Sequence, residues 1–450
     1  MEQINKTYLS KGGAEFDLSD AEVDSLFSKV LEQVCSELGK VSSVLILPPD
    51  ITRFHSKAGF LTVIACRELI KAGIAVTIMP ALGTHIPVSS AECERMFPGI
   101  PESFFRVHDW RNDVVELGRI EGEWIEKTTE GAVNYDWPVQ VNKLLLGKTE
   151  AGNFDLVISP GQVVPHEVVG MANHVKNIFV GTGGKETIDK SHFAGASFGL
   201  EKMMGRTDTP VRLMFDEGLR RFSNLLPPVL YAQTVISARS ETEAENAKMP
   251  KGSLAMRGIF CGFGRECYEQ AAGLSRLVNV DLLDEPVKKA VVYLEPEEFR
   301  TTWLGNKAIY RTRMAMADNG ELLIIAPGLE RFGEDMGIDS LIRKHGYRPA
   351  KIIMEKVKAD EELAKNLSAA AHLIQGSSEG RFTVRYCPGP GMSREEIESA
   401  GLEWGDINEA FARYDVHKLS TGWNTAADGE KFFYVPNPAL GLWALRKNFT

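Results

Sequence analysis

The chain has 450 residues, of which 44% are hydrophobic and 25% charged, and its formal net charge at pH 7 is −10. This length exceeds what one hydrophobic core normally spans, so two or three domains are predicted. The acidic balance argues against general nucleic-acid binding, and no apolar run approaches the roughly 18 residues of a membrane-crossing helix, so neither partner is predicted.

The N-terminal residues and the cysteines indicate the compartment. The first residues, MEQINKTYLSKGG, lack the apolar centre of a signal peptide. The six cysteines are scattered and include no CxxC pair, a pattern typical of reduced thiols. A cytoplasmic protein is predicted.

Apolar runs predict the strands of the first half of the chain. SVLILPP (43–49) and IAVTIMP (74–80) predict two strands, and the periodic residues at roughly 58–72 predict a helix between them. FDLVISP (154–160) predicts a third strand. Continuous apolar strands that alternate with helices favour a parallel sheet covered on both faces.

A polar stretch at 279–288 predicts the main domain boundary, which gives an N-terminal α/β domain at 1–280 and a C-terminal α/β domain at 281–450. A strand that runs into a polar turn at 232–247 and a helix at 265–278 precede it. The second domain is predicted to contain strands at 290–296, 321–328, 350–356, 381–389 and 431–438, and helices at 306–317, 359–374 and 394–401. The predicted fold class is α/β, with mostly parallel sheets and an active-site cleft between the domains.

Polar clusters follow the first three predicted strands. DITRFHS follows the first strand and contains Arg53, ALGTHIP follows the second and contains His85, and GQVVPHE follows the third and contains His166. Ligands bind at the carboxyl ends of strands in open parallel sheets. Three such loops at one edge therefore predict a functional site.

Two histidines at one sheet edge suit acid–base chemistry on both faces of a carbon, because imidazole titrates near neutral pH. The alternative for His85 and His166 is a loop histidine that bonds the backbone. Arg53 predicts a clamp for a carboxylate or phosphate, and its alternative is an ion pair with Asp50 that only shapes the loop.

Other motifs carry weaker signals. GTGGKET (181–187) has the composition of a phosphate-binding loop but lacks the GxxxxGK[ST] spacing, so a glycine turn before a helix is the favoured interpretation. CGFGRE (261–266) contains only GxG, so a nicotinamide-dependent dehydrogenase is not supported. His166, His174 and His192 lack the usual zinc spacings, although one histidine could bind a metal whose other ligands come from a cofactor.

The ordered set DITR (50–53), GTH (83–85), PH (165–166), Lys176 and His192 resembles the lactate racemase family that uses a nickel-pincer nucleotide. The spacings from His166 to Lys176 and from Lys176 to His192 are similar to those of the family. A weaker match lies at 306–335, where Lys307 falls near the family's second-domain lysine.

The resemblance implies a racemase or 2-epimerase of a small 2-hydroxy acid. The hydrogen on C2 would leave as a hydride to the cofactor, a pyridinium mononucleotide whose thioacid forms a thioamide with the lysine and which holds nickel. Separate maturation proteins would make this cofactor. By position, the resemblance assigns covalent attachment to Lys176, nickel ligation to His192, cofactor contacts to Asp50 and Thr52, acid–base catalysis to His85 and His166, and substrate binding to Arg53 and Lys307.

Two departures from the family pattern bear on the substrate. Asn173 and His174, in GMANHVK, stand where the family usually has two glycines, and Leu304 stands where a glutamine is expected. Either the cofactor sits slightly differently here, or Asn173 and His174 contact the substrate; we predict a substrate larger or more polar than lactate, such as an aldonate. The alternative is a non-catalytic relative that binds nickel or a nucleotide, but such a carrier would need no pair of bases.

Overall fold

The computed structural model describes residues 5–146, 153–250 and 252–449. These residues divide into two compact units. Unit 1 comprises Met1–Ser191 and Met204–Asn279, and unit 2 comprises His192–Met203 and Val280–Thr450. The chain thus enters unit 2, returns to unit 1, and crosses again after Asn279. The continuous domains 1–280 and 281–450 of the sequence prediction do not include this first crossing.

A six-stranded sheet forms the centre of unit 1. Its order is β1-β10-β9-β6-β2-β3; β9, β6, β2 and β3 are parallel, whereas β1 and β10 pair antiparallel. β4 and β5 form an antiparallel pair, as do β7 and β8. The strands are β1 (Thr7–Gly12), β2 (Ser43–Ile46), β3 (Ala75–Ile78), β4 (Val114–Ile120), β5 (Trp137–Asn142), β6 (Leu156–Gln162), β7 (Pro165–His166), β8 (Gly170–Met171), β9 (Val229–Ala238) and β10 (Leu254–Gly262).

Ten helices accompany these strands, of which α7 and the end of α6 belong to unit 2. They are α1 (Asp20–Leu38), α2 (Ala58–Lys71), α3 (Ser90–Met96), α4 (Gly122–Thr128), α5 (Val175–Phe179), α6 (Lys185–Phe198), α7 (Leu200–Met203), α8 (Pro210–Phe222), α9 (Glu241–Asn246) and α10 (Arg265–Asn279). A capping box of Ser19 and Glu22 begins α1. The apolar faces of α1 and α2 join β2, β3, β6 and β9 in one buried cluster.

Unit 2 has a second sheet of the same class. Its order is β15-β14-β13-β12-β17-β16, parallel except for the edge pair β16 and β17, and β11 pairs in parallel with β18. The strands are β11 (Val280–Leu283), β12 (Val287–Tyr293), β13 (Met316–Ala326), β14 (Thr383–Pro388), β15 (Glu403–Trp404), β16 (Gly422–Thr425), β17 (Lys431–Val435) and β18 (Leu442–Leu445). The helices are α11 (Thr302–Gly305), α12 (Lys307–Thr312), α13 (Met336–His345), α14 (Ala350–Ala359), α15 (Glu361–Ala364), α16 (Leu367–Gln375), α17 (Arg394–Ser399), α18 (Ile407–Arg413) and α19 (Arg446–Phe449).

The predicted α/β class with mostly parallel sheets is confirmed. The prediction of a strand at 350–356 is wrong, because these residues lie within α14. Pro349 precedes this helix as its N-cap, and only Ile353 of the apolar run is buried. A short apolar run fits a strand and a helix equally well, and here the proline and the single buried face decide for the helix.

Two further features concern the chain as a whole. Within the described ranges, every helix is too short or too polar to cross a membrane. All six cysteines lie in these ranges, and all are free thiols.

Candidate active site

The candidate site lies at the carboxyl ends of three neighbouring parallel strands. β6, β2 and β3 are adjacent in the sheet of unit 1, so the loops that follow them leave from the same edge. Asp50 follows β2 and caps the 3₁₀ turn Ile51–Ser56, which contains Arg53. His85 follows β3, and His166 follows β6. The strand-end positions predicted from the sequence are therefore those of the structure.

Asp50 and His85 form a hydrogen-bonded pair at this edge. The Nδ1 atom of His85 lies 2.6 Å from Oδ2 of Asp50, and the other carboxylate oxygen accepts the hydroxyl of Thr52 at 2.5 Å. Burial acts to raise the pKa of Asp50, but hydrogen bonds from His85 and Thr52 outweigh it. The charge of Arg53 also lowers this pKa, and the net value lies below the ordinary one.

This pair fixes the tautomer of His85. An ionised carboxylate only accepts hydrogen bonds, so Nδ1 must be the protonated nitrogen. Nε2 then carries a lone pair on a half-exposed ring. A ring held in this way can serve as a general base, because the Asp50 carboxylate would stabilise the imidazolium formed when Nε2 accepts a proton.

The opposite tautomer occurs at His166. The backbone N–H of Val168 donates to its Nδ1 at 3.1 Å, so the neutral ring has its proton on Nε2. The ring is 4% exposed. The Glu167 carboxylate lies 3.8 Å from the same Nδ1. His166 thus begins as a hydrogen-bond donor, and protonation of Nδ1, with Glu167 as countercharge, would convert the ring into a general acid.

The guanidinium of Arg53 is available for an anionic ligand. It forms no hydrogen bond or ion pair within the described ranges, and the oxygens of Asp50 are taken up by Thr52 and His85. The alternative interpretation of Arg53, an ion pair with Asp50 that only shapes the loop, is therefore not what the structure contains. A planar guanidinium beside an acid–base pair suits a carboxylate.

Lys176 lies in the first turn of α5 and is half-buried. Burial lowers its pKa to about 8, and the positive charges of Arg53 and Arg212 act in the same direction. The carboxylates of Glu167 and Asp50 oppose this shift. No hydrogen bond or ion pair holds its amine within the described part of the chain. A lysine of this kind is substantially neutral near pH 8, and a neutral amine is nucleophilic.

Asn177 fixes the position of α5 and was not identified from the sequence. Its amide nitrogen donates to the main-chain oxygen of Leu47 at 2.8 Å and to the hydroxyl of Ser159 at 2.9 Å. Leu47 directly follows β2 and Ser159 lies in β6. Asn177 therefore connects the helix that bears Lys176 to the strands whose loops carry Asp50 and His166.

Asn173 and His174 keep a backbone shape that glycine normally provides. Both have positive φ, 67° and 58°. The amide of Asn173 donates to Gln233 at 2.8 Å, and the ring of His174 packs against Tyr231 and Tyr268, with centroid distances of 4.0 and 5.1 Å. These side chains are buried within unit 1, and the substrate contacts predicted for them remain predictions.

In the glycine-rich segment before α6, the absence of side chains allows close backbone packing. A Cβ atom at Gly183 would collide with the main-chain oxygen of Phe179, and one at Gly184 would collide with the side chain of Gln140. His108 contacts the main-chain oxygen of Gly183 through Nε2 at 3.1 Å. Protein atoms thus fill the space that a phosphate loop leaves open, and the favoured interpretation, a glycine turn before a helix, is correct.

The remaining predicted residues belong to unit 2. His192 lies in the part of α6 that is assigned there, and Lys307 begins α12, with its amine 5.5 Å from the ring centre of Phe299. Their assigned roles, like the cofactor contact of Thr52, remain predictions from the resemblance. No cluster of three or more His, Cys, Asp or Glu residues with metal-binding geometry occurs among the residues that the structure describes.

Fold and site together define a two-unit α/β protein with two oppositely hydrogen-bonded histidines, His85 and His166, in loops at the carboxyl edge of a parallel sheet. Residues 24–202 match the lactate racemase N-terminal domain family. This match makes the N-terminal part of the chain similar to a lactate racemase N-terminal domain.

Two solved structures share the fold. One is a protein from Thermotoga maritima, 24% identical, with a TM-score of 0.74 over 95% of this chain and 100% of that chain. The other is the lactate racemase apoprotein from Thermoanaerobacterium thermosaccharolyticum, 14% identical, with a TM-score of 0.69 over 97% of this chain and 100% of that chain. No curated protein matches by sequence.

Proposed function

We propose that the chain is a racemase or 2-epimerase of a 2-hydroxy acid. The observation that carries this proposal is the opposite hydrogen bonding of two histidines beside a reactive lysine. Asp50 holds His85 as a base, whereas the backbone of Val168 holds His166 as a donor. Inversion of a carbon that bears a hydroxyl group requires such groups on both of its faces.

The residues of unit 1 fit a cofactor attached through Lys176. The amine has a pKa near 8 and no hydrogen-bonded partner in the described ranges, which would suit it to be the covalent attachment point of the cofactor. His192 would be the protein ligand of nickel, a metal for which imidazole is a suitable donor. When bound, the nickel-pincer nucleotide would accept the C2 hydrogen with its electron pair and return it.

The side chains of this chain have separable tasks in the reaction. The guanidinium of Arg53 binds the substrate carboxylate and fixes the position of C2. Nε2 of His85 takes the hydroxyl proton while Nδ1–H stays on Asp50, so a ketone carbon forms without a free alkoxide. His166, doubly protonated as the imidazolium with Glu167 as countercharge, gives its Nε2 proton to the oxygen after the ketone has turned over and becomes neutral. The reverse reaction exchanges the roles of the two histidines.

We further propose a substrate larger or more polar than lactate, such as an aldonate. The support is the departure from the family pattern at residues 173, 174 and 304. A panel of 2-hydroxy acids from lactate to gluconate tests this claim, with the appearance of the C2 epimer followed by chiral chromatography. If lactate is the best substrate by a wide margin, the proposal of a larger or more polar substrate is wrong. The proposed reaction class would not be affected by that result.

The reaction class is tested by His85→Ala and His166→Ala in chain that has been co-expressed with the cofactor-synthesis proteins. Both variants should retain the Lys176 adduct, because neither residue is the point of attachment, and both should lose epimerisation. His345→Ala, in unit 2, serves as a control for histidine removal. Unchanged turnover in either site variant would contradict the proposed function, whereas a non-catalytic relative would show no turnover even in the unsubstituted chain.

A further inference from the structure

The turn that precedes Lys176 is strained at two consecutive residues. Asn173 has φ 67°, and His174 has φ 58° with ψ −136°. Asparagine tolerates positive φ better than most residues. The angles of His174 are those of the first central position of a type II′ turn, where glycine is the usual residue. A side chain remains in such a conformation only when its surroundings hold it there.

Arg212, in α8, makes the contacts that hold this turn. Its guanidinium donates to the main-chain oxygen of Met171 at 2.6 Å and to that of Asn173 at 3.3 Å from both terminal nitrogens. The side chain is 0% exposed, and within the described ranges no carboxylate hydrogen-bonds it. Burial of a guanidinium without a bonded carboxylate is costly, so the two carbonyl contacts indicate a specific task.

Two aromatic rings, those of Tyr231 and Tyr268, also contact this turn. The Tyr268 ring lies 4.4 Å from the guanidinium carbon of Arg212 and also stacks on His174. Tyr231 also packs against the His174 ring, and the Nε2 atom of this histidine contacts the main-chain oxygen of Gly264 at 3.3 Å. Asn173 is thus held through its carbonyl, and His174 through its ring.

We infer that Arg212 is a positioning residue for the Lys176 amine. Its hydrogen bonds to the carbonyls of Met171 and Asn173 hold the strained turn in place. Because this turn leads directly into α5, it fixes where the helix begins. The position of that first helical turn in turn determines how deeply the Lys176 amine is buried. Arg212 touches no reacting group in this scheme. The use of the amine for cofactor attachment rests on the proposed function, whereas its position and reactivity are properties of the cofactor-free chain.

The test measures the reactivity of Lys176 in that cofactor-free chain. Acetylation with acetic anhydride over a range of pH, followed by peptide mapping, gives the midpoint at which the amine loses its proton. The charged groups that act on this amine are Arg53, Glu167, Asp50 and Arg212, and the unsubstituted chain should have a midpoint at about 8. The midpoint does not depend on how fast the reagent enters.

Arg212→Lys separates geometry from charge, because lysine keeps the charge but cannot bond both carbonyls. We expect the Lys176 midpoint to rise by about one pH unit or more as the amine gains water, with Arg212→Met behaving similarly. Arg220→Met is the matched control, since this arginine is on the same helix and its side chain is 69% exposed. The Lys176 midpoint in Arg220→Met should equal the Lys176 midpoint in the unsubstituted chain.

A second-site change tests the strained backbone directly. Glycine adopts the angles of His174 without support, so His174→Gly in the Arg212→Lys chain should return the midpoint towards 8. If Arg212→Lys alone does not fold, the double variant must fold and have a Lys176 midpoint close to that of the unsubstituted chain. A folded Arg212→Lys chain with an unshifted midpoint, or a double variant without rescue, would overturn the inference. Absence of a cofactor adduct in the unsubstituted chain would contradict the proposed function but leave these curves unaffected.

Discussion

At His85 and His166, a single hydrogen bond to Nδ1 sets what the other ring nitrogen can do. The Asp50 carboxylate accepts from Nδ1 of His85, whereas the backbone N–H of Val168 donates to Nδ1 of His166. The first ring therefore offers a lone pair and the second a proton. Their positions after β3 and β6 could be predicted from the sequence, but the opposite tautomers could not, because they depend on contacts formed only in the fold.

Asp50→Asn should lower kcat by roughly 10²–10⁴ with little change in KM, because the amide leaves the His85 imidazolium without its countercharge. Steady-state epimerisation by the cofactor-loaded chain is the measurement. Asp113→Asn is the control, since Asp113 pairs at the surface with Lys143. A kcat equal to that of the unsubstituted chain would show that Asp50 does not support the base.

Lys176 makes stability depend on pH. Its pKa is about 8 in the folded chain, against roughly 10.4 for an unfolded lysine. Between these values the unfolded state binds more protons, so the free energy of unfolding should rise with pH from about 8 to about 10.4. Urea unfolding of the unsubstituted chain and of Lys176→Met across this window measures the difference. If the free energy of unfolding depends on pH in the same way in both chains, the Lys176 amine is exposed to water in the folded state.

At the scale of elements, β2, β3 and β6 were predictable because each lies in a largely apolar run. β10 was not predicted, since the charged residue Arg257 and Gly258 interrupt its apolar pattern and a register shift lies at the same point. Arg257 is buried against Glu243, a partner that only the fold supplies. The roles of Asn177 and Arg212 were missed for the same reason: each follows from contacts with residues distant in the chain.

The glycine turn before α6 yields an element-scale prediction. Gly183→Ala should destabilise the chain by about 1–3 kcal/mol, because the added Cβ meets the main-chain oxygen of Phe179, which cannot move freely. Gly273→Ala is the matched control, since nothing lies within 4 Å of its added Cβ and alanine favours the helix α10 by about 0.5–1 kcal/mol. Thermal unfolding of both variants measures the two effects, and equal shifts would contradict the packing role.

At the scale of the whole molecule, the chain enters unit 2 at His192–Met203 before its main crossing after Asn279. The sequence predicted the later boundary from its polar composition. The earlier crossing lies in α6 and α7, where no change in composition marks it. Glu201, in this early segment, lies against the buried guanidinium of Arg313, with Oε1 and Nε 2.9 Å apart.

Glu201→Gln should therefore lower the free energy of unfolding by about 1–3 kcal/mol, because it leaves the buried Arg313 charge without its carboxylate. Glu361→Gln is the control, since Glu361 is 83% exposed and its pair with Lys365 contributes about 0.5 kcal/mol or less. Urea unfolding of the full chain compares the two variants. If they are equally stable, the early segment does not support unit 2 through this pair.

The measurement that tests the central claim most directly is intact mass with peptide mapping, made beside a nickel assay on chain co-expressed with the cofactor-synthesis proteins. We expect an adduct of mononucleotide size on the peptide that contains Lys176, near-equimolar nickel, and loss of both in Lys176→Arg. A lactate racemase expressed in the same cells controls for cofactor supply. An unmodified Lys176 in cells where that control is loaded would contradict the account.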